Sequence, residues 1–373
     1  MALRPVSAVV MAAGQGTRMR STLPKPLHEL CGRPILLHVL DALAELLVDR
    51  AVVVVGSGAE RVTKTLLDDG PEDLVIDFVE QRVQRGTGDA VSVGLTAFPD
   101  LDDDGDIVVL PGDTPLVKAS TLAELVAGHR AEDAAATLLT ARLADPTGMG
   151  RVIRSRHGTV RRIVEELDAT EAERAVDEVA TSVYCFRRSL LAPALRRLSP
   201  ENAQGEYYLT DVIEVLADMG HRVAAVAATD PTDALGVNDR AQLASAEAEL
   251  RARINRRWMT AGVAMVDPAS TYVDAGVSLG PDVTLLPATI LQGRTVVGAG
   301  ARIGPHVRLA DCVVGPGAVV ESTVGADAEI GAGARVGPFA WLPPGTHVAE
   351  ADATGPFAAP GWGEDPGVGG GPV

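Results

Sequence analysis

Basic charge is scarce in this sequence. Its 373 residues hold 33 lysines and arginines against 50 aspartates and glutamates, a formal net charge of −17. Proteins that bind nucleic acid or anionic membrane by general attraction present a basic face, and this balance gives no reason to expect either partner. Any anion site here must be local. Lysine is rarer still, with only three, Lys25, Lys64 and Lys118. The cysteines Cys31, Cys185 and Cys312 stand far apart and form no CxxC pair, which leaves neither a zinc knuckle nor a disulfide framework and makes the reduced cytoplasm the expected compartment. No run of about 18 apolar residues exists to span a membrane. The first residues lack the basic segment, long apolar run and cleavage site of a signal peptide.

What is present is a 46% apolar chain, long enough for two domains. From residue 5 to about 240, short apolar runs alternate with helical patterns. Strands are expected at 6–11, 51–56, 74–79, 106–113, 135–143 and 179–186, and helices at 34–47, 119–130 and 210–220. Such alternation predicts a mostly parallel sheet with helices on both faces. Residues 239–262 read as one long exposed helix, a linker. From about 273 the pattern changes: Leu279, Leu285, Leu291, Val297, Ile303 and Leu309 recur every six residues, and after a shorter step the register resumes at Val324, Ile330, Val336 and Leu342. A six-residue apolar period with small residues at its turns predicts a hexapeptide β-helix, and a flexible linker would not hold aliphatics in register. The expected divisions are a first domain at 1–240, a linker helix at 241–262, a β-helix at 263–347 and a disordered tail at 348–373.

The stretch VVMAAGQGTRMRSTLPKPLHEL, Val9 to Leu30, breaks a buried strand into a glycine loop. It is not a GxxxxGK[ST] phosphate loop, and Met19 stands where a dinucleotide fingerprint needs its third glycine. Gly14 and Gly16 let successive backbone N–H groups face one anion, and Arg18 and Lys25 add full positive charges. The loop is therefore expected to hold a polyphosphate inside an otherwise acidic protein.

Further motifs follow in order: EQRVQRGTGDAV (80–91), LPGDTPLV (110–117), DPTGMGRVIR (145–154), IVEELDAT (163–170), NAQGEYYLTDVI (202–213) and GVNDRAQL (236–243). With the glycine loop they resemble the sugar nucleotidyltransferases, most closely the bifunctional N-acetylglucosamine-1-phosphate uridyltransferase/glucosamine-1-phosphate acetyltransferase family (GlmU), over residues 5 to about 345. The resemblance implies an α/β fold, a Rossmann-like, glycosyltransferase-A-like nucleotidyltransferase domain followed by a short left-handed parallel β-helix that trimerises. It implies UTP, a sugar 1-phosphate and Mg²⁺ as ligands, with UDP-N-acetylglucosamine for cell-wall synthesis as product. Met11, Ala12, Ala13 and Gly14 would then meet the nucleotide, while Arg18 and Lys25 serve catalysis. Gln81, Gly86 and Thr87 would select uracil, the glutamine offering both a donor and an acceptor. Asp113, just past a buried strand, and Asn238 would hold the Mg²⁺. Asn238 is also placed to cap the long helix. Gly150 would contact the sugar's acetamido group and Glu165 its hydroxyls. Tyr207, Tyr208 and Asp211 fit a sugar-pocket role and a structural role equally.

Three departures from the family pattern stand out. Ala180 and Ser182 replace an asparagine and a glycine, and loss of one directional contact to a sugar hydroxyl costs about 1–3 kcal/mol. Leu167 replaces a lysine. Trp341 and Pro343 replace two arginines of the β-helix, and the later coils that carry the acetyltransferase residues are not in the sequence, so no acetyl-CoA site is expected. Two other readings stay open: a uridylyl- or thymidylyltransferase for a different sugar 1-phosphate, and a weakly active nucleotide-binding assembly or regulatory protein.

Overall fold

The computed structural model describes residues 4–56, 58–98 and 105–359. They form two compact units, Met1–His28 with Pro34–Ala246, and Glu29–Arg33 with Glu247–Val373. The division falls inside the helix Arg240–Thr260, and the short segment Glu29–Arg33 belongs with the second unit, a non-local grouping that a linear reading does not reveal.

The first unit is built on a nine-stranded sheet. Its strands are β1 (Val6–Ala12), β2 (Arg50–Val55), β3 (Ile76–Glu80), β4 (Asp106–Pro111), β5 (Ala136–Arg142), β6 (Arg151–Arg154), β7 (Val160–Val164), β8 (Glu178–Arg187) and β9 (Val223–Ala227). The main order is β9-β5-β8-β4-β1-β2-β3, with the β6–β7 hairpin joined through β8. All neighbours on this path are parallel except at β8, which runs antiparallel to both β4 and β5.

Central β1 explains why these strands read as unbroken apolar runs. Ala8 and Val10 point into one core, with Leu36 and Leu40 of helix α1 (Ile35–Glu45), whereas Val9 points into the other, with Ala90 and Val91 of helix α3 (Thr87–Leu95). A strand buried on both faces needs aliphatics at every position. Helices α2 (Ala59–Asp69) and α4 (Ala119–Ala131) share the face of α1. Helices α5 (Arg188–Leu195) and α6 (Asp211–Asp218) share that of α3. The sequence reading did not include α2, α3, α5, β6, β7 or β9. The carboxyl ends of β1 and β4 lie side by side, Met11 opposite Pro111, and the Gly112 N–H donates to the Met11 carbonyl at 2.9 Å.

In the second unit, strands of two to four residues stack into three parallel five-stranded sheets, the arrangement of a left-handed parallel β-helix. Leu279, Leu285, Leu291, Val297, Ile303 and Leu309 are buried as the six-residue period requires. The later register differs from the expectation in one place. Val314 and Val320 continue the interior row, and the next inward position is Gly325, which lies between Leu309 and Leu342 in the ladder. Val324 faces outward and is 48% exposed. The steps into Val314, Gly325 and Ile330 are each five residues long, so counting back six from Ile330 lands one residue off, on the outer face.

The chain also stays ordered past residue 348. Asp352 and Ala358 carbonyls accept from the Arg335 and Trp341 N–H groups, and Phe357 stacks on Phe339 with ring centroids 5.3 Å apart. These partners lie a coil away in sequence, which is why the tail's lack of period does not reveal them. The remainder of the expected disordered tail, 360–373, lies outside the described residues. Cys31, Cys185 and Cys312 are free and buried. Among the described residues no helix is long and apolar enough to cross a membrane.

Candidate active site

A cleft of about 480 Å³ opens in the first unit, where the chain leaves the carboxyl ends of β1, β3 and β4. Met11, Ala12, Ala13, Gly14, Lys25, Gln81, Gly86, Thr87, Asp113, Gly150, Glu165 and Asn238 all line it. Twelve of the thirteen residues singled out in the sequence thus converge, and Arg18 reaches the site through Asn238.

The glycine loop leaves β1 at Ala13 and turns at Gly16, whose φ is +61°. A Cβ on Gly16 would stand 2.6 Å from the Lys25 Cβ, so glycine is what lets the lysine stem cross the loop. Gly14 differs: a Cβ there would meet no atom within 4 Å. The 3₁₀ turn Thr17–Met19 follows, anchored by buried Met19, and sends Arg18 outward. Arg18 Nη2 donates to Asn238 Oδ1 at 2.9 Å, and Lys25 Nζ donates to the same oxygen at 2.8 Å while pairing with the Asp113 carboxylate. Two cations and two acceptor oxygens therefore meet at one point beside the loop.

The partners are held from beneath. The Val237 N–H donates to the Asp113 carbonyl at 2.8 Å, which stitches the Asn238 segment to the end of β4. The turn before it is fixed by buried Asp233, which takes Lys118 Nζ at 2.8 Å and the Thr121 hydroxyl at 2.6 Å. The cap of the following helix is Asp239, whose carboxylate accepts the Gln242 N–H at 2.8 Å. Asn238 is thereby free to face the cleft.

Where the cleft is lined by the loop after β3, Gln81 is only 5% exposed. Its Nε2 donates to Asp89 Oδ2 at 2.7 Å and to the Gly86 carbonyl at 3.3 Å. Gln84, which also lines the cleft, donates to the Ala13 carbonyl. The Thr87 hydroxyl accepts the Leu209 N–H at 3.0 Å, and the Tyr207 N–H and carbonyl pair with Arg85 and Gly88. Tyr207 therefore braces the Gly86-Thr87 turn through its backbone, and Tyr208 is buried with its hydroxyl on Gln204 at 2.8 Å.

At the other end, the Gly150 carbonyl accepts the Ala180 N–H at 2.9 Å. Arg151, buried, grips Glu166 at 2.7 Å and so fixes the Gly148–Gly150 turn, whose first N–H donates to the same carboxylate at 3.1 Å. Burial pushes the Glu165 carboxyl above its ordinary range, and the Thr210 hydroxyl, donating at 3.0 Å, offsets only part of this. Ala180 and Ser182 line the cleft at a bulge in β8, so this departure from the family pattern bears on the site itself. Leu167 is 62% exposed and is not among the lining residues. Sequence motifs alone did not single out Gln84, Asp89, Thr114 or Thr210. They are common polar residues whose proximity arises only when separate loops meet.

Among the described residues no cluster of three or more His, Cys, Asp or Glu side chains is arranged for a metal. The pair Asp113 and Asn238 directs two oxygens at a single positive charge, the Lys25 ammonium. That hard-oxygen set also fits a magnesium ion that keeps some of its waters and takes substrate phosphates.

A family model described as a MobA-like NTP transferase domain matches residues 8–217. The Bifunctional protein GlmU of Thermobifida fusca (strain YX) is 48% identical over 331 residues, which is 88% of this chain and 68% of that protein. The protein of the same name from Desulfitobacterium hafniense (strain DSM 10664 / DCB-2) is 47% identical over 94% of this chain and 75% of its own length. The one from Mycolicibacterium vanbaalenii is 48% identical over 95% and 72%. A catalytic-type cleft at the strand ends, a domain-wide match and these relatives agree: the chain is a nucleotidyltransferase and belongs to the GlmU family.

Proposed function

We propose that this chain transfers a uridylyl group from UTP to N-acetylglucosamine 1-phosphate, making UDP-N-acetylglucosamine for cell-wall precursor synthesis. A phosphate oxygen of the sugar 1-phosphate attacks the α-phosphorus of UTP, the bond from that phosphorus to the bridging oxygen breaks, and pyrophosphate leaves with the bond's electrons. The observation that carries this reading is the meeting of Arg18, Lys25, Asp113 and Asn238 beside the glycine loop, in one cleft with Gln81 and Glu165.

Little covalent chemistry is asked of the protein. Backbone N–H groups and the two cations position the phosphates and stabilise developing negative charge. Asp113 and Asn238 would hold Mg²⁺, which supplies charge neutralisation on the triphosphate. Gln81 with Gly86 and Thr87 receives the base, and Gly150 and Glu165 receive the sugar. Buried free cysteines support a reducing, cytoplasmic setting. The proposal leaves out acetyl transfer, on the residue-level ground that Trp341 and Pro343 stand at the two arginine positions.

Pyrophosphate release with UTP, Mg²⁺ and a panel of sugar 1-phosphates tests the reading. Release above background with N-acetylglucosamine 1-phosphate is expected, and its absence with every sugar refutes it. A second reading, transfer to a different sugar 1-phosphate, is favoured by one observation, the buried methyl of Ala180 in the cleft wall. The same panel separates the two. Adding acetyl-CoA and glucosamine 1-phosphate to the assay tests the omission of acetyl transfer.

A further inference from the structure

We infer that Asp89 is a positioning residue that fixes which end of the Gln81 amide meets the base, and thereby makes the site select pyrimidines bearing an N3–H over cytosine. The inference rests on the proposed nucleotidyl transfer and on the placement of Gln81 at the base.

Gln81 is nearly buried, so its amide must find partners for both ends. Its Nε2 faces Asp89 Oδ2 at 2.7 Å and the Gly86 carbonyl at 3.3 Å. An ionised carboxylate and a backbone carbonyl accept hydrogen bonds and cannot donate. Rotating the amide by half a turn would set Oε1 against two acceptors and leave a donor stranded, so the orientation is dictated. Asp89 sits in the first turn of α3. Oε1 has no partner among the described residues and is the one polar atom Gln81 leaves for a ligand in the cleft it lines.

A fixed, acceptor-only atom reads bases asymmetrically. Uracil and thymine present N3–H, a donor between two carbonyls. Cytosine presents N3 as a bare lone pair, which repels Oε1. A glutamine free to rotate would satisfy both, so the discrimination comes chiefly from Asp89, the shorter of the two contacts that hold the amide, and not from Gln81 alone. Asp89 does not itself line the cleft.

The test is steady-state pyrophosphate release by the full chain with UTP and with CTP, comparing wild type with Asp89→Asn. Asparagine nearly keeps the shape but both donates and accepts, so it removes the shorter of the two contacts that bar the rotated amide and leaves only the 3.3 Å contact to the Gly86 carbonyl. The expected result is a rise of about tenfold in KM for UTP with kcat within about twofold, and a UTP-over-CTP preference in kcat/KM reduced about tenfold or more. An unchanged UTP-over-CTP ratio in a variant whose thermal unfolding matches wild type overturns the inference. If Asp89→Asn does not fold, Asp89→Ser carries the same comparison. If wild type releases no pyrophosphate from any triphosphate, the proposed reaction falls. Calorimetric affinities for UTP and CTP then decide the present point, equal discrimination in wild type and variant overturning it.

Discussion

Arg18, Lys25, Asp113 and Asn238 come from three separate motifs, and their value lies in meeting at one place. Arg18 is exposed and Asp113 stands at a strand end, so neither is needed to fill the core. Arg18→Ala and Asp113→Ala should each lower kcat for pyrophosphate release by about 10²-fold or more, while thermal unfolding stays close to wild type. Turnover at the wild-type level in both variants would remove their assigned roles. Asp211 offers a test that needs no substrate. Burial, then its neighbours Glu214, Glu165 and Asp168, push its carboxyl from the ordinary 3.8 up to about 6. The folded state therefore favours the protonated acid, so its share of stability is full below pH 3.8 and is lost as pH rises through about 6. Asp211→Asn should be more stable than wild type by about 1 kcal/mol at pH 7.5, a figure reduced for partial exposure, and no more stable near pH 3.5. Denaturant titrations at the two pH values decide it.

Elements set where such residues can act. Strands β1 and β4 end side by side in the middle of the sheet, so the glycine loop and Asp113 emerge together. The β-helix shows a different use of periodicity, in which a one-residue slip exchanges inside for outside. Gly325 occupies an interior position where a Cβ would lie 3.0 Å from Leu309 Cδ2 and 3.4 Å from Leu342 Cβ. Gly325→Val should overpack the coil and cost about 1–3 kcal/mol. Val324→Ser, on the outer face, should change stability by no more than about 0.5 kcal/mol. Thermal unfolding of the two variants measures the register directly, and the reverse ranking would restore Val324 to the interior.

The whole molecule combines a net charge of −17 with a local group of cations at one strand-end cleft. That contrast favours a bound, positioned anion over general attraction to polyanions. In the second unit, Tyr272, Ile290, Arg308, Val324 and Trp341 lie in register on successive strands of one sheet, and on either side of Arg308 the side chains of Tyr272, Val324 and Trp341 leave apolar surface exposed. The family resemblance implies that the β-helix trimerises, and exposed apolar side chains on one sheet are consistent with self-association, so light scattering should return about three times the 38.7 kDa chain mass. A monomer at micromolar concentration would reject it. The sequence by itself determined the two architectures, because buried parallel strands and hexapeptide coils each impose a local apolar pattern. It also determined most of the cleft lining, because a glycine loop, a strand-end carboxylate and the glutamine after β3 each sit in a distinctive short motif. Only the tertiary structure decided that Gly325 and not Val324 faces inward, that Glu29–Arg33 belongs with the second unit, and that Asp89 orients Gln81. Each of these depends on which atoms meet across folded segments, and no local period or motif encodes that distance.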